Sequence, residues 1–413
     1  MKRSTTLLCL GLVAACSTAG PQEGTGPLGG VGDDSSLPDP VDPDASTGDD
    51  GDGDDDESSS DSGASEPAGD PDALDDFILG LGHLDIDTIA DKHEIACPGV
   101  CASWPEGELT CTQTYFSETD QLDTFIALQP NSPALWPGAV LRGDELEQGF
   151  LAPIGLERAP AVFSLSLENL TASPVGMMDT PSLSSFRELR NQILAEGTTG
   201  ATPAQVAYDI TTVKSDSQLA VKVGADVGWS GVLDLKAMFD FEDGELENKY
   251  LFDFTQTYYT VDLDVPLRPS ALFADGVSVE DFEGYAGEGN PPVYVVSISY
   301  GRRVLFGLES NESMERIAAA VDAAVASVLN VDFDATATEA LVGSKITAAV
   351  LGGDGDGAVK TVLGIEQLLE YITTGGNYSL ESPGVPIAYK LAYLDNAPAR
   401  LALTSEYPEV SCE

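Results

Sequence analysis

Residues 219–241 read LAVKVGADVGWSGVLDLKAMFDF, and every odd position is apolar or glycine. The series is Leu219, Val221, Val223, Ala225, Val227, Trp229, Gly231, Leu233, Leu235, Ala237, Phe239 and Phe241. Gln218, Lys222, Asp226, Ser230, Asp234, Lys236 and Asp240 take even positions, with Val232 and Met238 as imperfect members of that face. Ordinary strands run about 5–6 residues. A strand that crosses a bilayer needs roughly 9–11, with one face to lipid and one to water. The segment is long enough for two such strands around a turn near Gly228–Gly231, with the polar face toward an aqueous lumen. A plain long hairpin in a soluble sheet would carry the same alternation.

A second stretch, 314–337, reads MERIAAAVDAAVASVLNVDFDATA. Ile317, Ala319, Val321, Ala323, Val325, Leu329, Val331 and Phe333 keep the odd register, and Ser327 breaks it. Arg316, Asp322, Asn330, Asp332 and Asp334 keep the even one. The same residues also have helical order, because Met314, Ile317, Val321, Ala324, Val325 and Val328 share a side. Alanine favours helix and valine tolerates strand. A segment readable with both periods can switch between them, or it can be a helix packed permanently on a sheet.

The rest of the chain supplies the sheet. Strand-like runs occur at 250–265 (YLFDFTQTYYTVDLDV), 291–309 (PPVYVVSISYGRRVLFGLE), 344–353 (SKITAAVLGG) and 386–394 (PIAYKLAYL). Shorter apolar runs lie between 122 and 168, with Pro137-Gly138 as a turn. Helical spacing marks 182–195, through Phe186, Leu189 and Ile193, and 357–371. The pattern predicts an α+β fold with a large antiparallel sheet.

The N-terminus is a targeting segment. Lys2 and Arg3 precede an apolar run from Leu7 to Ala15, ending in Val13-Ala14-Ala15-Cys16. This resembles a bacterial lipobox, which makes 1–16 a lipoprotein signal, Cys16 the acylated mature N-terminus, and the outer membrane the expected location. An ordinary secretory signal is the alternative. Residues 17–76 are rich in Gly, Pro, Ser and Asp, and lack Lys and Arg. Like charges repel, and little apolar surface is present to offset the entropy of ordering, so the segment reads as an acidic tether. Asp-Gly-Asp repeats at 50–56 suggest calcium but lack the Glu that completes an EF-hand loop. The folded core is assigned to 77–413.

The 413 residues carry 69 acidic and 19 basic side chains, a net charge of -50, which excludes nucleic acid as a partner. Only His83 and His93 are present, both read as solvated, and no GxSxG, HExxH or P-loop pattern occurs. The reading is of a non-enzyme with no cofactor and no metal. With Cys9 removed and Cys16 acylated, Cys97, Cys101, Cys111 and Cys412 remain for two disulfides in any of three pairings, zinc being the alternative.

Seven motifs occur in order. They are Leu135-Trp136-Pro137-Gly138-Ala139, Lys214-Ser215-Asp216-Ser217-Gln218, Gln256-Thr257-Tyr258-Tyr259-Thr260-Val261, and Asn290-Pro291-Pro292 with Ser299-Tyr300-Gly301-Arg302. Thr347-Ala348-Ala349-Val350-Leu351-Gly352-Gly353-Asp354, Pro386-Ile387-Ala388-Tyr389 and Ser405-Glu406-Tyr407 complete them. Together, over about residues 108–410, the chain resembles the cholesterol-dependent, thiol-activated cytolysins. The resemblance implies a MACPF/CDC-like core, a bent antiparallel sheet flanked by helical bundles, plus a shortened elongated β domain. It makes 215–245 and 312–342 the membrane-inserting hairpins. Leu219, Val221, Val223, Val227, Trp229, Leu233, Leu235, Phe239, Ile317, Val321, Val325, Leu329, Val331 and Phe333 would then face lipid. It places the hinge at Gly352 and Gly353, and makes Tyr259, Tyr300, Gly301 and Arg302 family-motif positions.

The Trp-rich undecapeptide and the Thr-Leu pair of that family do not occur, so the chain reads as a short member lacking the C-terminal membrane-binding domain, with no direct cholesterol recognition. The implied function is a pore-forming toxin component, a homo-oligomer that also joins a longer cytolysin-like partner on a target membrane. A non-lytic surface lipoprotein on the same fold, structural or adhesive, is the competing reading.

Overall fold

The structure is a computed structural model that describes residues 69–84, 92–146, 150–224, 239, 248–328, 339–351, 359–360, 370 and 376–413. All of these lie in one compact unit, Ala64–Glu413. Cys16, Val227, Trp229, Leu233, Leu235, Leu329, Val331, Phe333, Gly352 and Gly353 fall outside the described residues, as does most of the tether 17–76.

The first helix, α1 (Pro71–Gly80), begins inside the segment read as tether, so that boundary moves back to about residue 70. Asp70 caps it by accepting from the Asp72 and Ala73 amides, and Pro71 presets the first turn. Leu74 and Ile78 are buried, and Arg268 pairs with Asp72 and Asp75 at 2.9 and 2.7 Å. Acidic composition hid an amphipathic helix whose anchors lie about 200 residues away.

A four-stranded sheet contains β1 (His93–Ile95), β2 (Ser103–Glu106), β3 (Leu109–Leu122) and the C-terminal strand, Leu401–Cys412. That last strand pairs with β3 from Leu401↔Leu122 to Cys412↔Cys111. Cys97 is bonded to Cys101 and Cys111 to Cys412, one of the three pairings the sequence left open. The second bond ties the C-terminal strand to the start of β3.

The larger, bent sheet is built on two long neighbours. In chain order its strands are β4 (Phe125–Ile126), β5 (Val140–Leu141), β6 (Ala161–Leu165), β7 (Val175–Met178), β8 (Gln205–Thr212), β9 (Asn248–Leu263) and β10 (Val293–Ser310). β11 (Lys345–Leu351), β12 (Val359–Lys360), β13 (Val385–Tyr393) and β14 (Pro398–Ala399) follow, and Leu401–Cys412 is β15. Of the span 357–371, where the sequence suggested a helix, the described residues are the two of β12 and Glu370, which is helical; the others fall outside the described residues. β9 and β10 pair antiparallel from Asp262↔Ser297 to Asn248↔Ser310. Along one half they are flanked by β6 and β13, and along the other by β8 and β11. Partners change where the β9–β10 register shifts, between Tyr300 and Gly301. A Cβ on Gly301 would sit 2.0 Å from the Gln256 carbonyl oxygen, and one on Gly384 (φ +78°) would meet the Gly301 nitrogen at 2.7 Å. Only glycines allow the backbones to approach this closely. The described crossover point is therefore at Gly301 and Gly384.

The helix over 182–195 is present as α2 (Leu183–Ala195), with Ser182 and Ser185 forming a capping box and Phe186 and Ile193 buried.

Candidate functional site

Two short helices hold the double-period segments. α3 (Asp216–Lys222) follows β8, and α4 (Met314–Val328) follows β10. α5 (Glu339–Val342) leads into β11. In α4 the helical period decides which residues are covered. Ile317, Ala320, Val321, Ala324 and Val325 are buried, whereas Ala319, an odd-register residue, is exposed.

The two helices lie on opposite faces of one sheet. Ile317, Val321 and Val325 pack with Phe252, Phe254, Val304, Phe306 and Ala348. Leu219, Val223 and Phe239 pack with Leu251, Leu305 and Ala349, the alternate residues of the same strands. Val221 is buried in the main core. The structure thus brings together two sets of the sequence-predicted lipid-facing residues, each against its own side of β9–β10–β11.

Topology gives this arrangement its chemical meaning. α3 lies within residues 213–249, which join two paired antiparallel strands, β8 and β9, whose last matched residues are Thr212 and Tyr250. α4 lies within residues 310–344, which join β10 and β11 at Glu309↔Lys345. Each segment is therefore the closed end of an existing hairpin. Extending it would add rungs to a ladder already started, without a new crossover.

Polar contacts hold the helices down. Lys222 Nζ reaches Asp120 Oδ2 on β3 at 2.8 Å, and Ser215 Oγ donates to the Glu406 carbonyl at 3.3 Å. On α4, Asp322 accepts from the Tyr208 hydroxyl at 3.0 Å. Burial and that carboxylate together push the Tyr208 hydroxyl above its ordinary pKa. At the base of both segments, Glu309 on β10 lies 2.7 Å from Lys345 Nζ and 3.7 Å from Lys249 Nζ, one rung of charge across three strands. Farther along the same two strands, toward Gly301, Arg303 pairs with Asp253. Sequence reading missed Asp120, because its partner is 102 residues away and no local pattern links them.

The motif tyrosines meet at the crossover point. Tyr259 and Tyr300 stack across β9 and β10 at 5.1 Å, Arg190 from α2 covers Tyr300 at 4.9 Å, and Tyr378 meets Tyr259 edge-on at 6.1 Å. Burial raises the Tyr300 hydroxyl pKa, and the neighbouring Arg190 opposes that rise. Arg302 is buried beside them. His83, read as solvated, is exposed, and it stacks on Tyr393 at 4.2 Å and contacts Asp395 at 2.9 Å.

Two edges bound the working half of the sheet. Among the described residues β8 has β9 as its one strand partner, and β12 covers β11 only at Ala348 and Ala349. No described helix is long and apolar enough to cross a membrane, a statement that leaves strands untouched.

Residues 114–413 match the family described as thiol-activated cytolysin. Pneumolysin of Streptococcus pneumoniae serotype 4 is 32% identical over 293 residues, which cover 68% of this chain and 61% of that protein. Tetanolysin of Clostridium tetani is 29% identical over 289 residues, covering 67% of this chain and 54% of that one. The chain thus spans under two thirds of the length of these curated relatives. The crystal structure of the human-specific toxin intermedilysin superposes with a TM-score of 0.69 at 27% identity, over 83% of this chain and 75% of that one. These findings correct the expectation of a short member lacking the C-terminal membrane-binding domain. The family match reaches Glu413 and so includes β15, which pairs with β3 from Leu401 to Cys412. They give no ground for subtracting a domain.

Proposed function

Because the chain belongs to the thiol-activated cytolysin family, we propose that it forms pores, assembling into a β-barrel to which each subunit contributes two hairpins. Its role is assembly and not catalysis. The observation that carries this reading is the position of α3 and α4, each closing a hairpin of the same sheet and each packed through residues that also alternate with period two. Unrolled, 215–245 and 312–342 would turn the odd residues to lipid and Lys222, Asp322, Asp332 and Asp334 to water. A closed barrel satisfies every backbone group in lipid, which a lone hairpin cannot do. Subunits would join through β8 of one copy and β11 of the next, once β12 leaves its edge.

The finer parts of the proposal concern attachment and partners. The protein is exported as an outer-membrane lipoprotein acylated at Cys16, and the ring includes a longer cytolysin-like subunit. In this reading the acyl chain and that subunit hold it on the target membrane, with no direct cholesterol recognition.

A disulfide between Leu219→Cys on α3 and Leu251→Cys on β9, residues of one apolar cluster, tests the reading. Oxidised protein should bind vesicles and form rings without releasing trapped dye. Undiminished release from the locked protein would refute the hairpin mechanism.

A further inference from the structure

A cavity of about 140 Å³ lies beside β4, where the chain from Ile126 to Leu135 and the segment 150–152 meet Tyr389 of β13. Ile126, Leu128, Leu135 and Leu151 form its apolar wall. Gln129, Ser132 and Tyr389 supply the polar side chains, and no charged residue belongs to the described lining. Gln129 and Phe150 are exposed, which puts the opening on their side.

Tyr389 is the informative member. It stands opposite Phe125 across β4 and β13 and stacks on that ring at 5.4 Å. Burial alone raises its hydroxyl above the ordinary pKa. Yet the residue keeps accessible surface. Its hydroxyl has no hydrogen-bond partner among the described residues, and it is not closed to water as the hydroxyls of Tyr259 and Tyr378 are. A phenol set this deep ordinarily finds a partner, and the cavity it lines is where that partner can stand.

Size and charge narrow the occupant. An apolar cavity of ~150 Å³ holds benzene, so one six-membered ring fills this one. A wall without a countercharge cannot offset the dehydration of an ion, and the net charge of -50 further disfavours anions. We infer that this cavity binds a small neutral ring alcohol of about the size of phenol, its ring against Ile126, Leu128 and Leu135 and its hydroxyl paired with that of Tyr389. The wall also ties the site to α3. Leu128 belongs to the cluster that buries Leu219 and Val223, and Ile126 packs against it. Departure of α3 would strip the backing from that wall, so the ligand prefers the docked state and stabilises it. This link rests on the docking of α3 and not on pore formation.

The test is calorimetric titration of the full chain with phenol and cyclohexanol, against benzene, benzoate and benzylammonium. Saturable binding of both alcohols is expected, with benzene about tenfold weaker, equivalent to ~1.4 kcal/mol for one good hydrogen bond, and no binding of either ion. Tyr389→Phe keeps the ring and should bring phenol down to the benzene value. Ala152→Phe, at a half-buried lining position, fills the cavity and should abolish binding of all three, with its thermal transition as the check on folding. Hydrogen exchange in saturating phenol should slow at the 216–224 amides and stay unchanged at 314–325, which pack on the other face of the sheet. Equal binding of alcohols and ions, or phenol binding retained in both variants, would overturn the site. Bound phenol without slower exchange at 216–224 would overturn its link to α3 and leave the hairpin reading as it stands.

Discussion

Asp120→Asn should loosen α3 and leave α4 in place. The Lys222–Asp120 pair is 2.8 Å long, and its side chains retain 22% and 27% of their exposure. Fully exposed pairs contribute about 0.2–1 kcal/mol, and breaking a buried one costs about 3–5 kcal/mol. A pair three-quarters covered lies between, at about 1–2 kcal/mol. Asn keeps the shape and one acceptor but removes the charge. The local opening equilibrium of α3 should therefore rise by roughly 5–30-fold. Hydrogen exchange followed by mass spectrometry reads this directly, as faster exchange of the 216–224 amides under conditions where the core stays protected. Amides of 314–325 should be unchanged, because α4 packs on the other face of the sheet. High salt should shrink the difference between variant and parent. Equal acceleration in both helices would refute independent docking, and no acceleration in α3 would show that the pair does not restrain it.

Further outcomes follow from the same coordinates. Gly301→Ala forces a Cβ to within 2.0 Å of the Gln256 carbonyl oxygen, so backbone must move. Denaturant unfolding should show a loss of about 1–3 kcal/mol or more. Replacing Cys111 and Cys412 together with serine opens a link between residues 301 apart and should cost about 2–5 kcal/mol, read from the same transition. Burial, with help from Asp395, pushes the Tyr294 hydroxyl up to about 12 from 10. Above pH 10 the unfolded chain releases this proton and the folded one keeps it, so stability falls between pH 10 and 12 by up to ~1.4 kcal/mol per unit. Tyr294→Phe, which cannot titrate, should make that part of the stability profile shallower by one group's share, the other raised tyrosines such as Tyr208 and Tyr300 keeping theirs.

The long strands were legible because two faces of a sheet impose period two over many residues, as in 250–263 and 293–310. The ambiguity at 314–328 was also real. Both periods are written there, and packing on Phe252 and Phe306 selects the helix in this state. Other features left no local trace. α1 looked like tether because its charges dominate the composition, while its partners Arg268 and Phe282 are remote. The pairing of β3 with β15 was visible only through its cysteines. The hinge was assigned to Gly352 and Gly353, outside the described residues, while the close backbone approach that is described belongs to Gly301 and Gly384. Nothing in a sequence separates a glycine that frees a turn from one that makes room for a neighbouring strand. Reading the chain as a family architecture minus a domain went further than the motifs allowed.

Position-by-position lipid contact along α4 puts the pore proposal to its most direct test. Single cysteines at 317–325, each carrying a fluorophore, would be compared in assembled rings on vesicles containing nitroxide-labelled lipid. Quenching should alternate, strong at 317, 319, 321, 323 and 325 and weak at the even positions between them. Protection that instead follows 317, 320, 321, 324 and 325, the buried set of the helix, or quenching at none of these positions, would contradict it.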